Sequence, residues 1–522
     1  MGSSPTFGTV KKKKPSDCWA FFVFVQNLQP FNANYRMWNA LTNAERKVFI
    51  FSFLLHLVTA FFSSGWFHPD EYFQIHEFAA WKLGNAPASE MPWEFTSQIR
   101  SCLQPTIVYF LSQIFTFFKI INPFVLTLLL RILSAGLAWW ASVLTYQAGK
   151  KMIARSEIES IFLWLTCFLW FLTWQHVRFS SENWSAIFLT FGIFLIFSEQ
   201  KNEIRAFCYG AFCFGISFWC RFQIGFALVG VGCWLLFVRK LELKLCLVLL
   251  SVGSVSLFLG VCLDRWFYGN WVFTPYNYFK FNILDGIAAG FSTSPWWDYF
   301  LQIFLSAIPP MSLLIIGLCA WATYKFYKNI FVFVTFFFFV AHCLIAHKEL
   351  RFLFPMSGFI PVICCIALTY NDLYKKILVY RKWLIAFCVI PNFLLLSVFT
   401  FKPCIELENF YHEIYAQSEA KKTLILSTTE SPFDIIHLVI HHYRHPNTEV
   451  KILSQNEKIN TYSTESQNVF LFQENFSPPA DTLLTAGKFQ LTYRSVPTWL
   501  TYLNYNNWLA RTRIWCLYKV EK

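Results

Sequence analysis

Twelve apolar stretches of roughly membrane length run from residue 46 to residue 401, near 46–64, 104–121, 123–146, 158–174, 184–198, 205–219, 222–238, 245–263, 298–318, 329–346, 352–370 and 383–401. A helix needs about 20 such residues to cross the hydrocarbon core of a bilayer. No linker splits the array and no sequence repeat organises it. Only 14% of the 522 residues are charged and 56% are hydrophobic, whereas soluble domains carry about 25% charged residues. A chain this long and apolar cannot hide that surface inside one water-facing globule. The 62 Phe and 22 Trp suit lipid contact and interfacial belts. The net charge of +13 is spread along the chain, which fits the positive-inside bias and argues against a nucleic-acid patch. The 16 cysteines show no metal-ligand spacing. Most lie in apolar segments and read as small core residues.

Charge orients the array. With the tail carrying Lys11–Lys14 in the cytosol, the first span delivers loop 65–103 to the far side. The basic clusters Lys150/Lys151/Arg155, Lys201/Arg205, Arg239/Lys240/Lys244, Lys325/Lys328 and Lys375/Lys376/Arg381/Lys382 then alternate as cytosolic loops. Segments near 175–183, 220, 264–297 and 347–351, and everything after 402, face outward. Two stretches fall between 104 and 146 where this alternation needs an odd number. The 104–121 stretch, with Gln104, Gln113 and Lys119, is the weaker, so the scheme predicts 11 spans rather than 12. The expected organisation is a cytosolic tail over 1–44, a membrane domain over 45–401 and an outer domain over 402–522. The last is polar and has short β-like runs at Thr423–Ser427, Val450–Ser454, Val469–Gln473 and Arg513–Val520. These predict a small α/β domain, and Asn475 with Ser477 forms a glycosylation sequon compatible with that side.

Four outward segments carry polar clusters. The first holds His68, then Asp70, Glu71, Gln74 and Glu77 after Pro69, a residue suited to a first helical turn. Helical spacing lets several of them line one face, where a carboxylate could take a proton from an attacking hydroxyl. The plainer reading is a helix start favoured by the helix dipole. Trp93, Glu94 and Arg100 follow, and the aromatics there suit either a sugar or the headgroup layer. The second cluster is Arg178 to Asn183, with Arg221 at the next outer corner; either arginine could simply snorkel. The third, over 264–297, mixes rings and amides, including Tyr276, Asn282 and Trp296, a combination suited to carbohydrate or to an aromatic belt. The fourth is His347, Lys348, Glu349 and Arg351, wedged between apolar spans. So many ionisable groups near bilayer depth are costly and usually functional. Arginine grips a phosphate with two prongs and lysine meets it as a point charge.

Taken in order, these segments resemble glycosyltransferase family 22, the dolichyl-phosphate-mannose-dependent mannosyltransferases of the GT-C superfamily. His68, Asp70, Glu71, Phe73, Gln74 and Glu77 look like its first-loop motif, continued by Pro92–Phe95, Arg100 and Ser101. His347, Lys348, Glu349, Arg351 and Phe352 are similar to its late basic element, and Tyr276, Asn277, Asn282, Pro295, Trp296 and Tyr299 to its aromatic loop. The first loop resembles the GPI-anchor members most. Ser181 departs from the family pattern, which commonly has Asn there.

The resemblance implies an all-α polytopic GT-C fold for the membrane array, to which the small C-terminal α/β domain read from its β-like runs is added, and metal-independent, inverting transfer with no cofactor. The implied donor is polyprenyl-phosphate mannose and the acceptor a glycolipid. Asp70 is the first choice for the base, with Glu71 beside it; His347, Lys348, Arg351 and Arg221 would hold the donor phosphate. His68, Gln74, Glu77, Trp93, Glu94, Arg100, Arg178, Tyr276, Asn282 and Trp296 would contact sugar. The site would face the endoplasmic reticulum lumen in a eukaryote or the periplasm in a bacterium. A transporter recognising the same lipid phosphate is the competing class; it would place its charges nearer the bilayer midplane.

Overall fold

A computed structural model describes residues 38–120, 122–153, 155–197, 202–435, 437–454, 462, 467–474 and 488–521. Lys11–Lys14 and the sequon at Asn475 lie outside the described residues. Contacts divide the chain into a unit over Met1–Phe51 and a second over Ser52–Lys522. Helix α1 (Asn43–Phe62) begins on a capping box: the Thr42 amide donates to Glu45 Oε2 at 2.7 Å and the Glu45 amide to Thr42 Oγ1 at 3.2 Å.

The second unit is mainly helical. Helices α2 (Leu103–Phe117), α3 (Pro123–Lys150), α4 (Ser181–Phe197), α5 (Glu203–Cys220) and α6 (Leu243–Tyr268) follow the expected stretches within a few residues. Asparagines start two of them. Asn122 accepts from the Phe124 amide at 2.9 Å ahead of Pro123, and Asn202 from the Arg205 amide at 3.1 Å. Among the described residues, four helices are long and apolar enough to cross a bilayer: Pro123–Lys150, Leu243–Tyr268, Leu350–Thr369 and Arg381–Phe401. The number rises to six if the bent pairs Ser156–Phe168 with Trp170–His176 and Met311–Lys325 with Ile330–Leu344 are each one span. The 298–318 stretch is not one helix. It divides into Asp298–Ser306 and Met311–Lys325, because Pro309 and Pro310 withhold the amide donors a continuous helix needs.

Described residues of the basic clusters pair with neighbouring segments. Lys150 pairs with Glu159 at 3.6 Å and Arg239 with Glu203 at 2.8 Å. Arg155 bonds Asp372, and Trp234 Nε1 donates to the Lys328 carbonyl at 2.7 Å.

The C-terminal part holds helix α7 (Leu407–Ala420) and a five-stranded mixed sheet in the order β4-β1-β5-β7-β6. Its strands are β1 (Thr423–Ser427), β4 (Thr448–Ile452), β5 (Asn468–Gln473), β6 (Lys488–Arg494) and β7 (Cys516–Glu521); β2 (Asp434–Ile435) and β3 (Leu438–Val439) form a separate hairpin. β1 is central and parallel to β4 and β5, while β7 runs antiparallel to β5 and β6. Side chains alternate between faces. Ile425, Phe470 and Phe472 pack on Phe410 and Ile414 of α7, and Leu424, Leu426, Val469 and Leu471 fill the other face. The α7-side core continues without a break into Trp66, Tyr72 and Phe73 of the first loop. The sheet region thus rests on the segment that carries the candidate acids.

Candidate active site

The first loop starts from a short helix, Pro69–Tyr72. His68 is extended, and its Nδ1 accepts from the Asp70 amide at 3.2 Å, so the cap holds Asp70 in the first turn. A wider π turn, Phe73–Glu77, follows. That extra width breaks the single polar face expected from helical spacing. Asp70 and Gln74 meet the arginines and Glu94 of one cleft, while Glu71 and Glu77 take other partners.

Gly65 ends the turn before this helix with φ +82°, a left-handed conformation that glycine adopts freely. A Cβ there would strike Ile405, so the residue also permits the close approach of the C-terminal segment.

A chain of ionic contacts then joins segments far apart in sequence. Gln74 Nε2 donates to Glu94 Oε1 at 3.2 Å, and Arg100 lies 3.6 Å from Glu94 and 3.9 Å from Asp70 Oδ2. Arg351 donates through one terminal nitrogen to Asp70 Oδ2 at 2.8 Å and through the other to Glu182 Oε1 at 3.5 Å, while its Nε bonds Glu349. Arg221 donates to Glu182 Oε1 at 2.7 Å and to Ser181 Oγ at 3.0 Å. His347 Nε2 lies 2.8 Å from Glu349 Oε1, and His68 Nε2 lies 3.7 Å from the other oxygen of that carboxylate. Helix start, outer corner and late basic element therefore form one cluster. Arg221 and Arg351 are almost wholly buried, whereas the Asp70 side chain is 25% exposed.

The adjacent acids have opposite electrostatics. Burial pushes the Asp70 carboxyl upward, but His68, Arg351 and Arg100 more than offset it and hold it well below the usual carboxylate range. Burial raises Glu71 to about 7, against the pull of Arg178 and with Glu182 adding repulsion. Glu71 accepts from the Phe67 amide at 3.1 Å and lines a separate cavity of about 560 Å³ with Gln175, His176 and Asn183. Asp70 is thus the acid on the ionic chain. Burial also raises Glu94, whereas hydrogen bonds from Arg351 and His347 outweigh burial at Glu349 and lower it.

The other expected residues divide. Glu77 is fully buried and accepts from Tyr72 Oη at 2.6 Å and from the His441 and His442 amides at 2.9 and 3.0 Å. It fastens the C-terminal part to the loop and does not reach the cleft. Arg178 spends its guanidinium on Ser63 and on the Gly65 carbonyl at 2.8 Å, fixing the end of α1. Lys348 donates to the carbonyls of Ser294, at 3.1 Å, and Ile345. Trp93 stacks on Phe291, which in turn contacts His347, so it stands at the rim. Tyr276 and Trp296 are exposed and Asn282 bonds the Tyr278 carbonyl; none of the three joins the ionic chain. Instead Tyr278 carries the aromatic contact, its ring 5.5 Å from the Arg100 guanidinium. Glu182 and Glu349 complete the cluster, although as acids at a helix start or within a basic run they read as charge balance.

The chain shares its fold with ArnT of Cupriavidus metallidurans, solved bound to undecaprenyl phosphate. The TM-score is 0.51 at 12% identity, over 91% of this chain and 98% of that one. It is a mainly helical fold with several apolar helices of membrane length. Residues 47–484 match the Alg9-like mannosyltransferase family, and the chain belongs to that family. Among relatives, GPI alpha-1,2-mannosyltransferase 3 of Homo sapiens is 28% identical over 63% of this chain and 58% of that protein. GPI mannosyltransferase 3 of Candida albicans is 27% identical over 74% and 73%. The chain thus spans about 58% of the length of the human relative it matches.

Proposed function

We propose that the protein transfers mannose from a polyprenyl-phosphate carrier, dolichyl phosphate in a eukaryote, to a mannosylated glycolipid of the GPI-anchor kind, forming an α-1,2 linkage. The observation that carries this reading is the 2.8 Å contact between Asp70 and Arg351, residues 281 apart in the chain. It sets a proton acceptor beside a phosphate-binding cation. In the reaction the acceptor hydroxyl oxygen attacks the anomeric carbon and its proton passes to Asp70. The bond from that carbon to the phosphate oxygen breaks, and the lipid phosphate leaves with the electron pair. Attack from the opposite face inverts the β-linked sugar to an α-mannoside.

Asp70 is ionised at neutral pH and ready to accept, as a general base must be. Arg351, Arg221 and His347 meet the charge that grows on the leaving phosphate. This supplies countercharge without a metal. The site would lie on the lumenal face of the endoplasmic reticulum, or on the periplasmic face of a bacterial membrane. Incubating membranes with polyprenyl-phosphate [14C]mannose and a panel of mannosylated lipids tests the reading. Label should move to a GPI-like acceptor in a mannosidase-sensitive α-1,2 linkage. Label that crosses the bilayer still on its carrier would indicate transport and contradict it.

A further inference from the structure

Four residues that line one cavity each carry a buried polar atom without a partner. The space, about 480 Å³, lies beside the ionic chain, between the Arg100–Pro105 segment, the end of α5 and Tyr278. Arg100 Nε, Gln104 Nε2, Arg221 Nε and Gln223 Oε1 have no hydrogen-bond partner among the described residues. Gln104 is 4% exposed and Arg221 8%, so bulk water does not serve them. Folded proteins seldom leave buried donors and acceptors unpaired, and a cluster of them round one space marks where something else supplies the partners.

The set is three donors and one acceptor. An ionised phosphate offers only acceptors and would leave Gln223 Oε1 alone. Hydroxyl groups, which both donate and accept, can satisfy all four. Phe222 and Tyr278 contribute rings 5.7 Å apart to the wall, giving an apolar surface beside the polar set.

We propose that this cavity holds the mannosyl ring of the donor, with Gln104 and Gln223 reading its hydroxyl groups. The proposal rests on the mannosyl-transfer reading above. The donor ring rather than the acceptor fits because Arg221 belongs to both the cavity and the cation cluster. It shares Glu182 with Arg351, so a sugar seated here has its phosphate side toward those cations. Arg100, on the cavity wall, stands 3.9 Å from Asp70 and puts the other side within reach of the base.

The test uses the full chain in vesicles, with polyprenyl phosphate carrying mannose or its 2-, 3-, 4- or 6-deoxy forms. Q104L and Q223L should each lower kcat/KM for the mannose donor by about tenfold or more, because a site built to bond a hydroxyl loses heavily without it. Their thermal midpoints should stay level or rise, since neither unpaired atom gives up a protein partner. For at least one deoxy donor, variant and wild type should become equal, the non-additivity expected of groups in contact. Unchanged kcat/KM, or fully additive losses on every deoxy donor, would overturn the proposal. So would coupling that appears with deoxygenated acceptors instead of donors. Wild-type protein that transfers no mannose from the lipid carrier would sink the transfer reading itself; wild-type transfer with uncoupled glutamines would sink the pocket alone.

Discussion

Arg351 bonds three carboxylates from three separate segments, and that arrangement ties the basicity of Asp70 to its own partner. A donor phosphate that drew Arg351 away would leave Asp70 a stronger base at the moment it must take a proton. R351A removes one of the charges that hold the Asp70 carboxyl down. Its pKa must rise, so the acid limb of the kcat/KM profile should move to higher pH, with R351K between the two proteins; an unmoved limb would separate Arg351 from Asp70. E71Q should cost under about tenfold in rate, because Glu71 lies off the ionic chain and general-base loss typically costs 10²–10⁴. Asp70, Arg100, Arg221 and Arg351 were legible because charges flanking greasy spans are rarely idle. Their division from Glu77 and Arg178 was not. That depends on a π turn and on tertiary contacts which residue spacing does not encode.

Elements are legible in the sequence where hydrophobic length or alternation is clean. α3 and α6 match their stretches, and β1, β5 and β7 follow the predicted runs. β6 is not legible in the sequence although Phe489, Leu491 and Tyr493 alternate in it, because Lys488 and Arg494 give the run a polar look. The join between α7 and α3 could not be read at all. Arg131 donates to Glu408 at 3.0 Å, and Glu408 also binds the Gly65 amide and Tyr443 Oη. Removing one partner of a buried ion pair costs about 3–5 kcal/mol, whereas an apolar replacement of both is far milder. E408A should therefore lower the thermal midpoint in detergent more than R131M/E408L does. The reverse order would mean that the pair does not lock the two elements.

At the scale of the whole molecule, the sheet region and the helical array share one compact unit. A boundary at 402 marks a change of composition without marking a break in the core. Shortening the chain to residues 1–401 should abolish mannose transfer although every residue of the ionic chain remains, because Trp66 and Tyr72 lose their packing. The join is also pH-sensitive. Burial raises Glu77 from an ordinary 4.5 to about 7, so the folded protein holds a proton that the unfolded chain releases between those values. The Glu77 contribution to stability falls as pH rises from about 4.5 to about 7 and then levels off, with Glu71 acting in the same sense and the buried imidazoles of His76 and His442 in the opposite one. E77Q should flatten that slope in a thermal-shift series.

Transfer of labelled mannose by D70N tests the shared pocket most directly. With polyprenyl-phosphate mannose and the preferred acceptor, the variant should lose about 10²–10⁴ in kcat while the donor still raises its thermal midpoint. Wild-type turnover by D70N would contradict the account, since the acid that the fold sets against Arg351 would then not be the one that takes the proton.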